Sequence, residues 1–515
     1  MTRAERNARA LAAADASQSI GRRAAQGAGI ALAAQALRLT IQMGATACLA
    51  RLLLPEDFGL YAMALTLTGM VLLFTDLGLA QATVQRPEID QKMVSGLFLL
   101  NLAMAGAVVL ATAALAPLLV RLYGAPEVGP LALVVATAAV FNALGAQHRA
   151  LLMRGMRWVA LQRADLLGQF GGSLLAVLLA WGAGAGYWAL AVQPLATAAL
   201  ASALLWRATD WRPSLVRDLR PAREAIRFGL NYTGFNLLNH FQRNGDNMLI
   251  GWFWGAGPLG FYTRAYNLMM LPVQALRGPV SSALIPALSR LQDRPEEWRA
   301  LLLDAAGLLA VATAGVGALL VAAAPEIVAI VYGPGWERAA TVMTWLAGGV
   351  FATALADCLG WIYLSLGRTR RMLLWTLLGT APAMLGAFAL AVPHGIETVA
   401  LTFSVVMLAL VGPGLFVACR GTPVSWLAVL RMTGPYALGG FAVGAALALA
   451  APWAGLPGAA LRLGLDAAAI GAAQAAMLAL WPAIDPAHRR MRTRALRQLG
   501  ALRERLARRR AGGPA

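Results

Sequence analysis

Apolar runs long enough to cross a bilayer fill this chain, and they come in two similar sets. Phe58-Gly59-Leu60-Tyr61-Ala62-Met63-Ala64 recurs as Leu259-Gly260-Phe261-Tyr262-Thr263-Arg264-Ala265. Leu122-Tyr123-Gly124 recurs as Val331-Tyr332-Gly333, and Arg154-Gly155-Met156-Arg157 is echoed by Leu366-Gly367-Arg368-Thr369. The pairs Gly59 and Gly260, Gly124 and Gly333, and Gly155 and Gly367 are 201, 209 and 212 residues apart. Order is kept and the offset drifts slowly, as small loop insertions after a duplication would produce. Internal repeats of spanning helices facing a shared cavity are a transporter architecture.

Hydrophobic residues make up 59% of the 515 positions, against roughly 45–50% in ordinary globular chains. A spanning helix takes about 20 residues, and the runs meet that length. The expected fold is an all-α polytopic membrane protein of about fourteen transmembrane helices: two parallel six-helix lobes plus two C-terminal helices. The expected divisions are a basic N-terminus at 1–27, a first lobe at 28–206, a basic linker at 207–227, a second lobe at 228–418, two further spans at 419–482 and a basic tail at 483–515.

Net charge is +19, almost all from Arg. The cations fall in alternate connections: Arg154, Arg157 and Arg163 in one, the Arg207–Arg227 run in another, Arg368, Arg370 and Arg371 in a third. The intervening connections, such as Gly182-Ala183-Gly184-Ala185-Gly186, are nearly free of them. Cations stay on the cytoplasmic side during insertion, so both termini are expected there, with an even number of spans. Six spans per repeat then make the two copies like-oriented. Charges placed between apolar blocks suit topology and anionic lipid rather than nucleic acid. In the tail, Met491, Leu496, Leu499, Leu502 and Leu506 at near-helical spacing suggest a helix lying on lipid headgroups. The N-terminus is Ala- and Arg-rich without an apolar core, unlike a cleaved signal peptide. Cys48, Cys358 and Cys419 are scattered among spans and the four histidines do not cluster, so neither metal nor cofactor is expected.

Ionisable groups within spans cost roughly 2.5–3.5 kcal/mol each on insertion scales and so turn to a cavity or a partner. The seventh span concentrates them: Asn236, Asn239, His240, Arg243, Asn244, Asp246 and Asn247 recur at three- and four-residue steps, which places most on one face. That face is expected to line water. The alternative is a local Arg243–Asp246 pair. Arg38, Asp76, Arg277 and Asp357 add charge in other spans. The repeat offset of 201 carries Asp76 onto Arg277, and the two either face one another or each have a local partner.

Nothing resembles a catalytic constellation. There is no Gly-x-x-x-x-Gly-Lys phosphate loop, and the short outer connections leave no room for an assembly enzyme's catalytic loop. The chain is expected not to be an enzyme.

The stretch Arg51-Leu52-Leu53-Leu54-Pro55-Glu56-Asp57-Phe58-Gly59-Leu60-Tyr61, then Phe74-Thr75-Asp76-Leu77-Gly78-Leu79-Ala80 and Val84-Gln85-Arg86, resembles Wzx-type polysaccharide flippases of the multidrug/oligosaccharidyl-lipid/polysaccharide exporter superfamily. The branch it is most similar to is that of the colanic-acid and xanthan-type exporters. The resemblance implies an inner-membrane flippase for an undecaprenyl-diphosphate-linked oligosaccharide, working by alternating access beside membrane lipids and polysaccharide polymerase machinery. Arg38, Arg243 and Arg277 would meet the diphosphate, since Arg offers bidentate contacts to phosphate oxygens. Asn236, Asn239, His240 and Asn247 would meet sugar, and Asp76, Asp246 and Asp357 are the ion-coupling or gating candidates. The other readings are a multidrug or cation antiporter on the same scaffold, which a cavity this rich in Arg disfavours, and a lipid II flippase.

Overall fold

A computed structural model describes residues 20–72, 88–214, 244–450 and 458–484, with isolated positions 5, 7, 11, 80, 83, 84, 86, 216, 240, 489 and 493. Helices α1 (Ile20–Leu52), α2 (Pro55–Leu72), α3 (Gln91–Tyr123), α4 (Val128–Arg154), α5 (Trp158–Gly182) and α6 (Tyr187–Ala208) come first. Residues 244–254 are helical. Then follow α7 (Ala256–Arg290), α8 (Pro295–Val331), α9 (Glu337–Ser365), α10 (Thr369–Trp375), α11 (Ala381–Ala391), α12 (Ile396–Cys419), α13 (Trp426–Ala450) and α14 (Ala459–Ile484). A π-helical turn, Thr376–Thr380, joins α10 to α11 within one span, Thr369–His394. Eleven helices among the described residues are long and apolar enough to cross a membrane. They account for eleven of the roughly fourteen expected spans, and α1 and α2 precede them in the chain.

Local chemistry sets the helix ends. Asp90 caps α3 by accepting the Met93 N–H at 2.7 Å. Gly124 ends α3 with φ +63°, its N–H reaching Val120 O. Outward faces are apolar, as lipid requires: Leu378, Leu390 and Leu438 are each 77% exposed.

The chain divides into two compact units, Met1–Thr263 with Tyr332–Pro334, and Arg264–Val331 with Gly335–Ala515. In the first, α3 packs on α4, α4 on α6 and α5 on α6. In the second the same relations recur one repeat later: α8 on α9, α9 on α12, α11 on α12. Compactness groups residues 244–263 with the first unit, whereas the repeat motif places them in the second copy.

The two copies of the first motif meet within the first unit. A Cβ on Gly59 would stand 1.7 Å from Ala256 O, and one on Gly260 would stand 1.8 Å from Pro55 O. Ala256 is Pro55 displaced by the same offset of 201 that relates the glycines. The contact is therefore reciprocal, residue for residue, as a two-fold relation between like segments demands.

The third motif is corrected by one residue. Met156 N–H bonds Met153 O and Arg157 N–H bonds Leu152 O; Gly367 N–H bonds Leu364 O and Arg368 N–H bonds Tyr363 O. Both are the same left-handed helix closure, with φ +51° at Met156 and +66° at Gly367. Met156, not Gly155, is the counterpart of Gly367. Matching glycine to glycine slips the register because the first copy tolerates methionine at a position glycine suits.

The last two spans, outside the duplication, pack on α8. Gly440 and Gly444, four apart, let backbone approach backbone: a Cβ there would be 3.0 Å from Ala314 O and 2.6 Å from Ala318 O.

Candidate functional site

Asp76, Asn236, Asn239 and Arg243 lie outside the described residues. The other six candidates fall into three groups.

The first joins α1, α4 and α5. Arg149 grips Asp165 with both terminal nitrogens, at 2.9 and 2.5 Å. Arg38 reaches the same carboxylate at 3.6 Å, and Gln169, one turn further along α5, donates to Arg38 O at 3.2 Å. Two guanidiniums share one carboxylate, so the cluster carries a net positive charge. Asp165 offers two oxygens to ten N–H donors, which leaves donors for an outside anion. Arg38 is 26% and Arg149 38% exposed, so the cluster is within reach of one. Arg149 and Asp165 were not among the sequence candidates. Their signal was present as charges within two turns of the ends of otherwise apolar spans.

The second is the polar face of residues 240–247. Tyr262 Oη donates to Asp246 Oδ2 at 2.8 Å, and the Asn247 N–H to Asp246 Oδ1 at 2.8 Å. Asn247 Nδ2 donates to Asn244 Oδ1 at 3.4 Å, and Asn244 Nδ2 to His240 O at 3.0 Å. His240 Nε2 lies 2.9 Å from Thr66 O. A carbonyl only accepts, so Nε2 carries the proton and Nδ1 is left to accept from Asn244 Nδ2 at 3.4 Å. Gly69 makes room for the ring, since a Cβ there would stand 2.9 Å from His240 Cε1. Thr66, Tyr123, His240, Asn244 and Met248 line a small cavity. Asp246 itself is only 4% exposed. The spacing thus brings four groups into one hydrogen-bonded row, with its carboxylate enclosed by the protein.

The third is Arg277 of α7 and Asp357 of α9, with Arg277 Nε 2.8 Å from Asp357 Oδ1. Two candidates assigned to different tasks are partners. The Arg is 36% exposed and the Asp 7%, so the positive member is the accessible one. Asp76, the other partner considered for Arg277, lies outside the described residues.

A family described as "Polysaccharide biosynthesis protein" matches residues 48–341, more than half of the chain. The chain is 26% identical over 257 residues to the lipopolysaccharide biosynthesis protein WzxC of Escherichia coli (strain K12), covering 49% of this chain and 51% of that protein. It is 28% identical over 346 residues to the succinoglycan biosynthesis transport protein ExoT of Rhizobium meliloti (strain 1021), covering 66% and 69%. The match thus spans about half the length of one relative and about two thirds of the other. Among solved structures, the lipid II flippase MurJ in an inward closed conformation superposes with a TM-score of 0.69 at 11% identity, over 87% of this chain and 98% of that one. That likeness is one of fold.

Proposed function

Because the chain belongs to the polysaccharide biosynthesis protein family, we propose that it flips a polyprenyl-diphosphate-linked oligosaccharide across the bacterial inner membrane for surface polysaccharide assembly. The observation that carries this reading is the surplus of guanidinium over carboxylate at Arg38, Arg149 and Asp165. A diphosphate is an anion with oxygens spaced for bidentate guanidinium contacts. A cavity for organic cations would call for the opposite sign, which disfavours a multidrug antiporter.

In this reading Arg38, Arg149, Arg243 and Arg277 meet the diphosphate, and Asn236, Asn239, His240 and Asn247 meet sugar hydroxyls. Asp76, Asp246 and Asp357 serve coupling or gating. The two lobes, 28–206 and 228–418, alternate in access with both termini cytoplasmic, and membrane lipids and polymerase machinery are the partners. Lipid II carries the same polyprenyl-diphosphate, so it remains the second reading, and the likeness of fold to MurJ is what favours it.

The test is complementation of a deletion strain with Arg38→Ala, Arg149→Ala and Arg277→Ala, scoring surface polymer against the amount of protein in the membrane. We expect each to lower polymer while the protein still reaches the membrane. Wild-type polymer in all three overturns the diphosphate site. Rescue of cells depleted of their lipid II flippase would select the second reading.

A further inference from the structure

The appended helix α14 carries two charges of its own, Arg462 and Asp466, and both turn toward α8. Arg462 Nη1 lies 2.8 Å from Glu326 Oε1, and Arg462 Nε lies 3.9 Å from Asp466 Oδ2. Glu326 is 7% and Asp466 8% exposed. Glu326 Oε2 and Asp466 Oδ2 are both fully enclosed, and neither has a hydrogen-bond partner among the described residues. Ala318, Ala322, Ala323 and Ile470, with Leu319, Val443, Leu447 and Leu463, make the surroundings apolar. Helix α8 is broken here: Ala323 has φ −132° and Pro325 follows.

Among the described residues, two carboxylates against one guanidinium leave one uncompensated negative charge in an apolar interface. Such a charge is removed by taking up a cation or a proton. No other ionisable side chain on the packed helices offers a remedy. Helix α13 carries only Arg431, near its opposite end. The other charges of α8 (Glu296, Glu297, Arg299 and Asp304) also lie at its far end. On α9, Arg338 is engaged by Glu397 at 2.7 Å, Glu337 accepts the Gly335 N–H, and Asp357 pairs with Arg277 at 2.8 Å.

A metal cation would need several oxygen ligands and would sit directly beside the guanidinium, which repels it. A proton has neither difficulty. We propose that Glu326 and Asp466 bind one exchangeable proton between them, at the junction of the duplicated body with its appended helix pair. With the proton bound the group is neutral, one carboxylate paired to Arg462 and the other protonated. Without it, the interface between α8 and α14 holds a net negative charge.

The experiment counts protons taken up by the full-length protein in lipid nanodiscs between roughly pH 8 and 5, with an indicator dye. A shared proton predicts non-additivity. Glu326→Gln and Asp466→Asn each lower uptake by about one proton, and the double variant lowers it by the same single proton. Unchanged uptake in both single variants, or a double variant that loses twice as much, overturns the site. So does wild-type uptake that disappears in sodium but not in choline, which would mean a metal cation. Arg462→Met is the second handle if the carboxyl variants fail to fold: without the guanidinium both carboxylates need protons, so uptake rises by about one, and no rise counts against the site. Proton binding here rests on no transport step, so its failure leaves the exporter reading standing.

Discussion

Arg157 and Arg368 close equivalent helix ends in the two copies of the repeat. Arg157 Nη1 donates to Ala208 O at 2.9 Å, the last residue of α6. Arg368 donates to Arg420 O at 2.7 Å and Gly421 O at 2.6 Å, just past α12. Each Arg follows a left-handed turn that aims it at the free carbonyls of the sixth helix of its own copy, where a cation is favoured. Charges expected to set topology thus also cap helices. We expect Arg157→Ala and Arg368→Ala each to lower the thermal midpoint of the purified protein. The loss is about 0.5–1.5 kcal/mol per hydrogen bond, and larger for Arg368, which makes two. Equal midpoints to wild type would reduce both residues to topogenic charges.

Met156 stands at φ +51° where its counterpart is Gly367. A left-handed residue with a Cβ costs about 1–2 kcal/mol, part of which Gly returns by its greater freedom when unfolded. Met156→Gly should therefore raise stability by about 1 kcal/mol, and Gly367→Ala should lower it by a similar amount. Thermal unfolding in one detergent compares the two. A destabilised Met156→Gly would mean that the methionine side chain contributes more than its backbone costs.

Gly59 and Gly260 face the other helix's backbone too closely for any Cβ, which would stand 1.7 and 1.8 Å from carbonyl oxygens. The clash is with main chain, so side-chain rearrangement does not relieve it. Gly59→Ala and Gly260→Ala should each cost about 1–3 kcal/mol or separate the two segments. A cysteine pair placed at Pro55 and Ala256 reads separation through crosslinking: efficient in the parent, reduced in either alanine variant. Undiminished crosslinking with an unchanged thermal midpoint in both variants would refute the close approach.

Much of this was legible in the order of residues. Long apolar runs force helices. Three- and four-residue spacing put His240, Asn244 and Asn247 on one face. What stayed hidden was contact between helices. The repeat offset aligns depth, so it sets Arg277 against Asp76, which lies outside the described residues; it gives no hint that Arg277 pairs with Asp357 on α9. Asp165 gathers Arg38 and Arg149 from helices far apart in the chain, and no spacing rule connects those three. The single-residue slip at Met156 arose because identity of glycine is a poorer guide than backbone conformation.

The Arg277–Asp357 pair is unequal in burial, and that asymmetry fixes the order of its variants. Asp357 is 7% exposed and Arg277 36%. Removing the guanidinium takes the ion pair away from a buried carboxylate, whereas removing the carboxylate leaves a guanidinium that already reaches the surface of its unit. Breaking a fully buried pair from one side costs about 3–5 kcal/mol. Exposure of the Arg reduces this, so we expect about 1–3 kcal/mol for Arg277→Ala and less for Asp357→Asn. The double variant should recover part of the loss, because the buried negative charge is gone with its cation. Thermal midpoints of the four proteins in one detergent decide it. Asp357→Asn more damaging than Arg277→Ala would mean that the carboxylate holds more of α9 in place than its ion pair with α7.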